Sequence, residues 1–415
     1  MSAVAGYTIE RPAPYARLKT RFLHFALYAT VFAGPFVMIE PAPYEGLTAL
    51  LVLACIFANV TIDRRLMLPL LLILLWNVGG LIALIPVVND SDAVTFVIIS
   101  IYMGMTSMVF ACLFAHDSVR RLEIMRSAYI LAAVIASIVG IIGYFNLVPG
   151  AWDLFTRYNR LKSTFKDPNL FGPFAILPLL LIISSALLNG LRLRHIVSGS
   201  IILVAVLLSF SRAAWAHFIF SSMLMVGLMF AATSSARFRA RIATATVLSV
   251  AGVAILVAGM LSVGHIGNVF KERASLIQDY DAGEGGRFNR QLESIPLLLG
   301  DPNGFGPYQF HNRYGQDPHE VYLNAFASYG WLGGVSYAAL VLITLWAGYA
   351  TVLKRTPWQQ YQIAAVATYT GVVLEGFVID TDHWRSYYLV MGIVWGLAIA
   401  TLNDERRNRY LRAAI

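Results

Sequence analysis

Charge is scarce in this sequence. Aspartate, glutamate, lysine and arginine make up 13% of its 415 residues against 58% hydrophobic residues, and the mean hydropathy is +0.66. Soluble domains carry about 25% charged residues, so a water-soluble globular protein is excluded. Cysteine is nearly missing as well. Cys55 and Cys112 both fall in apolar runs with no partner at ligand spacing, which argues against a disulfide framework or a thiolate zinc site. A cleavage pattern is also lacking: the first apolar run ends in Glu40-Pro41-Ala42-Pro43, without small residues in alternation, so it reads as a retained helix. Asp-x-Asp is a spelling that can hold a metal ion. Asp380-x-Asp382 has that spelling at a helix end beside Arg385, where a metal site is not expected.

What the chain does have is apolar runs near 20 residues long, each able to cross a hydrocarbon core of about 30 Å. Spans fall near residues 22–39, 44–61, 66–88, 93–115, 128–148, 170–188, 195–210, 213–232, 241–263, 320–350, 360–379 and 386–402. The expected fold is an all-α polytopic membrane protein of about twelve transmembrane helices. Residues 1–148 form its N-terminal helices, 149–402 a core with one long outer loop at 264–318, and 403–415 a basic tail.

Most of the 31 basic residues collect in alternate connections, such as Arg64-Arg65, Arg120-Arg121, Arg192 to Arg194, Arg237 to Arg241, Lys354-Arg355 and the tail from Arg406 to Arg412. The positive-inside tendency makes these cytoplasmic, with both termini inside. The connections around Glu40 to Glu45 and Asn89 to Asp92 have no basic residue and are placed outside. The net charge of +8 thus reflects topology and contact with anionic membrane lipid, and no nucleic-acid partner is expected.

Against this pattern, Arg157, Arg160, Arg212, Arg287 and Arg385 all fall on the outer side. Arg212, in Ser209-Phe210-Ser211-Arg212-Ala213-Ala214, sits between two spans with almost no loop, either as an anchor to lipid phosphate or as a bidentate fork for a phosphate group. Arg287 follows Glu284-Gly285-Gly286, whose glycines permit close approach to a ligand. Arg385 stands beside Asp380 and Asp382, and an ion-pair role competes there with a ligand role. Asp167-Pro168-Asn169-Leu170-Phe171-Gly172-Pro173 echoes Asp301-Pro302-Asn303-Gly304-Phe305-Gly306-Pro307, which shared turn chemistry explains. Asn169 is expected to cap the helix that follows. A further helix near 287–299, with Phe288, Leu292, Ile295 and Leu299 on one face, suits the membrane surface.

His319, in Pro318-His319-Glu320-Val321, lies at the outer end of a span and titrates near neutrality, so it can accept a proton from a hydroxyl. His265 and His311 are expected in flexible loop, and His383 is flanked by acids. Trp152, Tyr158, Tyr308, Tyr314 and Trp331 are either platforms for sugars or interfacial anchors.

Taken in order, Arg160-x-x-Ser163-Thr164-Phe165-x-Asp167-Pro168-Asn169, Ser211-Arg212-Ala213-Ala214, a long outer loop with Arg287, Pro318-His319-Glu320-Val321-Tyr322-Leu323-Asn324 and Tyr329-Gly330-Trp331-Leu332-Gly333 resemble the bacterial O-antigen ligase family and its polymerase relatives. The resemblance covers about 155–402. It implies a GT-C-like membrane glycosyltransferase of the bacterial inner membrane with a periplasmic active site. Its donor would be a glycan on undecaprenyl pyrophosphate, and its acceptor a lipid A core or another glycan. By matching position, Arg212 and Arg287 would hold the pyrophosphate with Arg160 near them, and His319 would activate the acceptor hydroxyl. Glu320 stands where the family often has Asn, and is an orienting partner or auxiliary base. Arg157, Asn169, Asp382 and Arg385 are further candidates for substrate contact.

Glycosyl transfer puts negative charge on a leaving pyrophosphate, which fixed arginines stabilise with no metal or other cofactor. The leading reading is a ligase, and a repeat-unit polymerase is its near alternative. A transporter or flippase of lipid-linked glycan is the alternative from another class. It is less well matched, because the span interiors hold few ionisable groups besides Glu375 and charge gathers at one face.

Overall fold

Helices begin and end where proline, glycine and charged residues interrupt the apolar runs. The computed structural model describes residues 14–274, 286–315 and 317–413. In chain order its helices are α1 Pro14–Ala33, α2 Pro43–Phe57, α3 Met67–Leu84, α4 Ser91–Ala115, α5 Ser118–Tyr144, α6 Ala151–Phe155, α7 Pro168–Phe174, α8 Ile176–Asn189 and α9 Leu193–Leu208. They continue as α10 Arg212–Ala232, α11 Ala236–Leu261, α12 Gly264–Ala274, α13 Arg287–Gly300, α14 Gln309–Tyr314, α15 Val321–Thr351, α16 Gln359–Glu375 and α17 Arg385–Ala413. The strands β1 Thr156–Arg157 and β2 Arg160–Leu161 pair as a hairpin. Its two turn residues, Tyr158 and Asn159, have φ of 54° and 56°, the left-handed pair that a tight hairpin requires.

Among the described residues, 8 helical segments are long and apolar enough to cross a membrane, which makes this a multi-pass membrane protein. Each of the twelve expected spans coincides with helix. The regions of α1, α2, α9 and α16 do not reach the same standard. Helices α2, α9 and α16 have 15, 16 and 17 residues, and α1 carries Arg17, Lys19 and Arg21 in its first half.

Small residues let the helices approach. A methyl group on Gly79 of α3 would lie 2.5 Å from the Tyr329 carbonyl and 2.6 Å from the Gly333 nitrogen, so α3 and α15 pack backbone to backbone. Just above this contact α15 breaks at Gly330, where φ is 65°. The break exposes backbone groups that the turn at 301–307 satisfies: Phe305 N donates to Ala327 O at 2.8 Å and Trp331 N to Pro302 O at 2.9 Å. The second copy of the sequence echo is therefore a docking turn, whereas the first begins α7.

The two ends of the bundle differ. At one, Arg65 reaches Asn403 at 2.9 Å, Lys354 reaches Glu405 at 2.7 Å and Arg241 reaches Ala186 O at 3.3 Å, so the basic connections share a face. At the other, Arg385 Nη2 binds Glu45 at 2.5 Å and Glu40 at 3.3 Å, while Lys166 holds Glu40 at 2.6 Å. The described parts of the long segment 264–318 lie at this second end and fold into α12, α13 and α14. His265 and His311 sit in α12 and α14, not in flexible loop, because apolar residues such as Ile266 and Phe310 bury one side of each helix.

Candidate active site

Arg212 is the first residue of α10. Ser211 caps that helix by accepting from Ala214 N at 3.4 Å, which leaves the amide end of α10 open toward a cavity of about 300 Å³. Tyr158, Arg160, Asn169, Arg212 and Arg273 line this cavity, with Val378 and Ile379 opposite. A helix N-terminus beside three guanidinium-bearing side chains is a setting for phosphate oxygens.

Arg160 is only 9% exposed, and the chain fixes it in place. Its Nε donates to Ser209 O at 2.8 Å and its Nη2 to Asn169 Oδ1 at 2.7 Å, which joins the hairpin, the start of α7 and the end of α9. Asn169 does not cap α7 as its position suggested. Asp167 does, accepting from Asn169 N at 2.9 Å, because the cap precedes Pro168 at the first helical position and Asn169 is already inside the helix. That frees the Asn169 amide to hold Arg160.

Arg157 points elsewhere, 3.6 Å from Asp167 and over the Tyr158 ring. Arg385 is given to Glu45 and Glu40 rather than to Asp380 or Asp382. Arg287 opens α13, close to Gly286. Gly283, Glu284 and Gly285 lie outside the described residues, as does the Arg287 side chain. Along α13 the apolar residues Phe288, Leu292, Ile295 and Leu299 face outward, while Ser294 and Leu298 are buried against the protein. Arg273 was not singled out from the sequence. Its signal is the run Lys271-Glu272-Arg273, which reads as an ordinary polar loop until α12 brings it back over α10.

His319 adopts a left-handed backbone with φ of 51° and is exposed, just before Glu320 caps α15. The Glu320 side chain accepts from Leu323 N at 2.8 Å; burial pushes its pKa up, against the Leu323 and Tyr322 amides. Two bonds anchor this corner to the end of α16, from Val321 N to Gly376 O at 2.9 Å and from Tyr322 Oη to Val373 O at 2.7 Å. The end of α16 thus carries α15 on one side and runs on into the Val378–Ile379 wall of the arginine cavity.

A second cavity at this end of the bundle, of about 470 Å³, lies across the segment 378–382. It is acidic, lined by Asp92, Asp317, Asp380 and Asp382 with Glu40 at its margin. Burial and the neighbouring carboxylates of Asp382 and Asp317 push Asp380 up to about 7. Burial raises Asp317 too, opposed by His311 and His319. His383 is pulled down by burial but raised on balance by Asp382, 3.1 Å from its Nδ1. A further cavity of about 540 Å³, between α8, α10, α11 and α16 at the end with the basic connections, holds none of these residues.

Apolar helices long enough to cross a membrane, with an arginine cavity and a histidine-bearing helix start at one end, define a multi-pass membrane protein with a cationic cavity at that end. Residues 197–338, about a third of the chain, match the family model described as O-antigen ligase, so over that stretch the chain is similar to that family. No match was found among curated proteins. The matched stretch includes Arg212, Arg273, Arg287 and His319, whereas Arg160, Asn169, Asp382 and Arg385 lie outside it.

Proposed function

We propose that the protein is a ligase that moves a glycan from undecaprenyl pyrophosphate to an acceptor hydroxyl at the periplasmic face of the inner membrane, with both chain termini cytoplasmic. The observation that carries this reading is the arginine cavity at the start of α10, within the family-matched stretch. Arg212, Arg160 and Arg273 would receive the pyrophosphate, and Arg287 would join them from α13. His319 takes the acceptor proton as the acceptor oxygen bonds to the sugar C1. The C1–O bond to phosphate breaks, its electron pair leaves with the pyrophosphate, and the arginines hold the charge that develops. No metal or cofactor takes part in this scheme. Glu320 supports His319 by capping α15. The outward apolar stripe of α13 rests in the lipid interface beside the site, where the donor's polyprenyl chain must enter.

The test is the profile of surface polysaccharide and lipid-linked intermediates in a deletion strain complemented with wild type, Arg212→Ala or His319→Ala at matched expression. Full-length glycan stranded on the lipid carrier in both variants is the expected result. Single repeat units capping the acceptor would make the protein a polymerase, and unchanged profiles would overturn glycosyl transfer.

A further inference from the structure

The acidic cavity has no part in holding a pyrophosphate, since its carboxylates repel one. Its other wall is aromatic. Phe96 packs against His383 with ring centroids 3.9 Å apart and the planes tilted by 32°, and meets Tyr308 edge-on at 5.1 Å. Asn324, which donates to Asp380 at 3.2 Å, and Ser328 add an amide and a hydroxyl. Flat rings beside a row of hydrogen-bond acceptors suit a pyranose, whose C–H face packs on an aromatic and whose hydroxyls donate to carboxylates. The volume falls in the range of about 300–1,000 Å³ for small-ligand pockets.

Position supplies the second argument. Val378 and Ile379 line the arginine cavity, and Asp380 and Asp382 line this one, so a single stretch of chain is the partition between them. Asp317, two residues before His319, lines the acidic side and lies within range of the His319 charge. The cavity therefore borders the segment that carries His319.

Resting on the glycosyl-transfer reading above, we propose that this cavity is the acceptor-sugar subsite and that it selects a neutral or amine-bearing pyranose over a phosphorylated or carboxylated one. Hydroxyl and ammonium donors satisfy Asp380 and Asp382, which otherwise crowd negative charge together. A phosphate or uronate finds few donors and several like charges.

The experiment is saturation-transfer NMR on the full-length protein in nanodiscs, with methyl glucoside, methyl glucosaminide, methyl glucuronide and glucose phosphate as probes. The first two should receive saturation and the acidic pair should not. Asp380→Asn combined with Asp382→Asn, and separately Tyr308→Ala, should each weaken the effective probes about tenfold, while Arg212→Ala leaves them unchanged. Thermal unfolding confirms that each variant is folded, and Tyr308→Ala carries the test if the double variant is not. Equal binding of an acidic probe, no binding of any probe, or calcium binding that the double Asn variant abolishes would each overturn the proposal. Binding of undecaprenyl pyrophosphate is measured alongside. If wild type binds it and Arg212→Ala does not, failure of the glycosides sinks the acceptor subsite alone; if wild type does not bind it, the transfer reading falls first.

Discussion

His217 Nδ1 lies 2.8 Å from Glu375 Oε2, and both side chains are shut off from solvent, at 0% and 1% exposure. His217 Nε2 contacts Thr368 O at 3.1 Å, and a carbonyl only accepts, so that nitrogen carries a proton. One more proton then sits between Nδ1 and the carboxylate. Whichever atom holds it, the pair is neutral overall, which is what a site inside a bundle of apolar helices requires. Gly371 makes room, since a methyl group there would lie 2.2 Å from the His217 ring and from Ser221 Oγ. The pair fastens α10, whose first residue is Arg212, to α16, whose end holds α15 and the Val378–Ile379 wall.

Removing one member of this pair strands the other. His217→Leu or Glu375→Leu alone should cost about 3–5 kcal/mol, whereas the double Leu variant should recover most of that loss. Thermal unfolding in detergent measures the cycle; additive single losses would show that the two groups are not coupled.

At Arg212 the distinction between charge and shape can be tested. Both Arg212→Ala and Arg212→Lys should lower glycan transfer by about 10²–10³-fold, because a lysine restores the charge without the planar fork. Transfer from a purified lipid-linked donor is the assay. Near-normal turnover in Arg212→Lys would mean that charge alone suffices.

Gly330→Ala meets two obstacles at once. Its φ of 65° is costly for alanine, and the new methyl group would sit 2.7 Å from the Asn303 and Pro302 carbonyls. The turn at 301–307 should lift from α15, with a loss of about 1–3 kcal/mol or more. Faster proteolysis within residues 286–315 would report it, and an unchanged cleavage rate would count against the docking role of the turn.

Asp380 gives stability a pH dependence of definite sign. Its folded pKa of about 7 is above the ordinary carboxylate value of 3.8, so the folded state binds the extra proton and stability falls as pH rises between those values. Asp380→Asn should raise the thermal midpoint at pH 8 and leave it nearly unchanged at pH 5, where the wild-type group is already neutral. The same shift at both pH values would remove titration of Asp380 as the cause.

The sequence by itself determined that this is a helical membrane protein, roughly where the helices run, and which residues sit at the end that carries the site. Hydrophobic run length and the segregation of arginine and lysine are local, additive signals, and lipid leaves helices little alternative. That Arg212 and His319 stand at helix starts was legible for the same reason, since a polar residue at the edge of an apolar span stands out in one dimension. Tertiary structure alone decided the partners. Arg385 was read beside Asp380 and Asp382, three to five residues away, yet it binds Glu40 and Glu45 from the start of the chain because α17 packs along α4 and starts near the α1–α2 connection. Glu375 read as a lone buried acid until α10 laid His217 against it. The acidic cavity gathers Asp92, Asp317 and Asp382 from three distant stretches, and Arg273 reaches the arginine cavity only when α12 turns back over α10. Proximity between such groups depends on which helix faces pack together, and those faces are chosen by small-residue contacts such as Gly79 against Gly333 that no charge pattern announces.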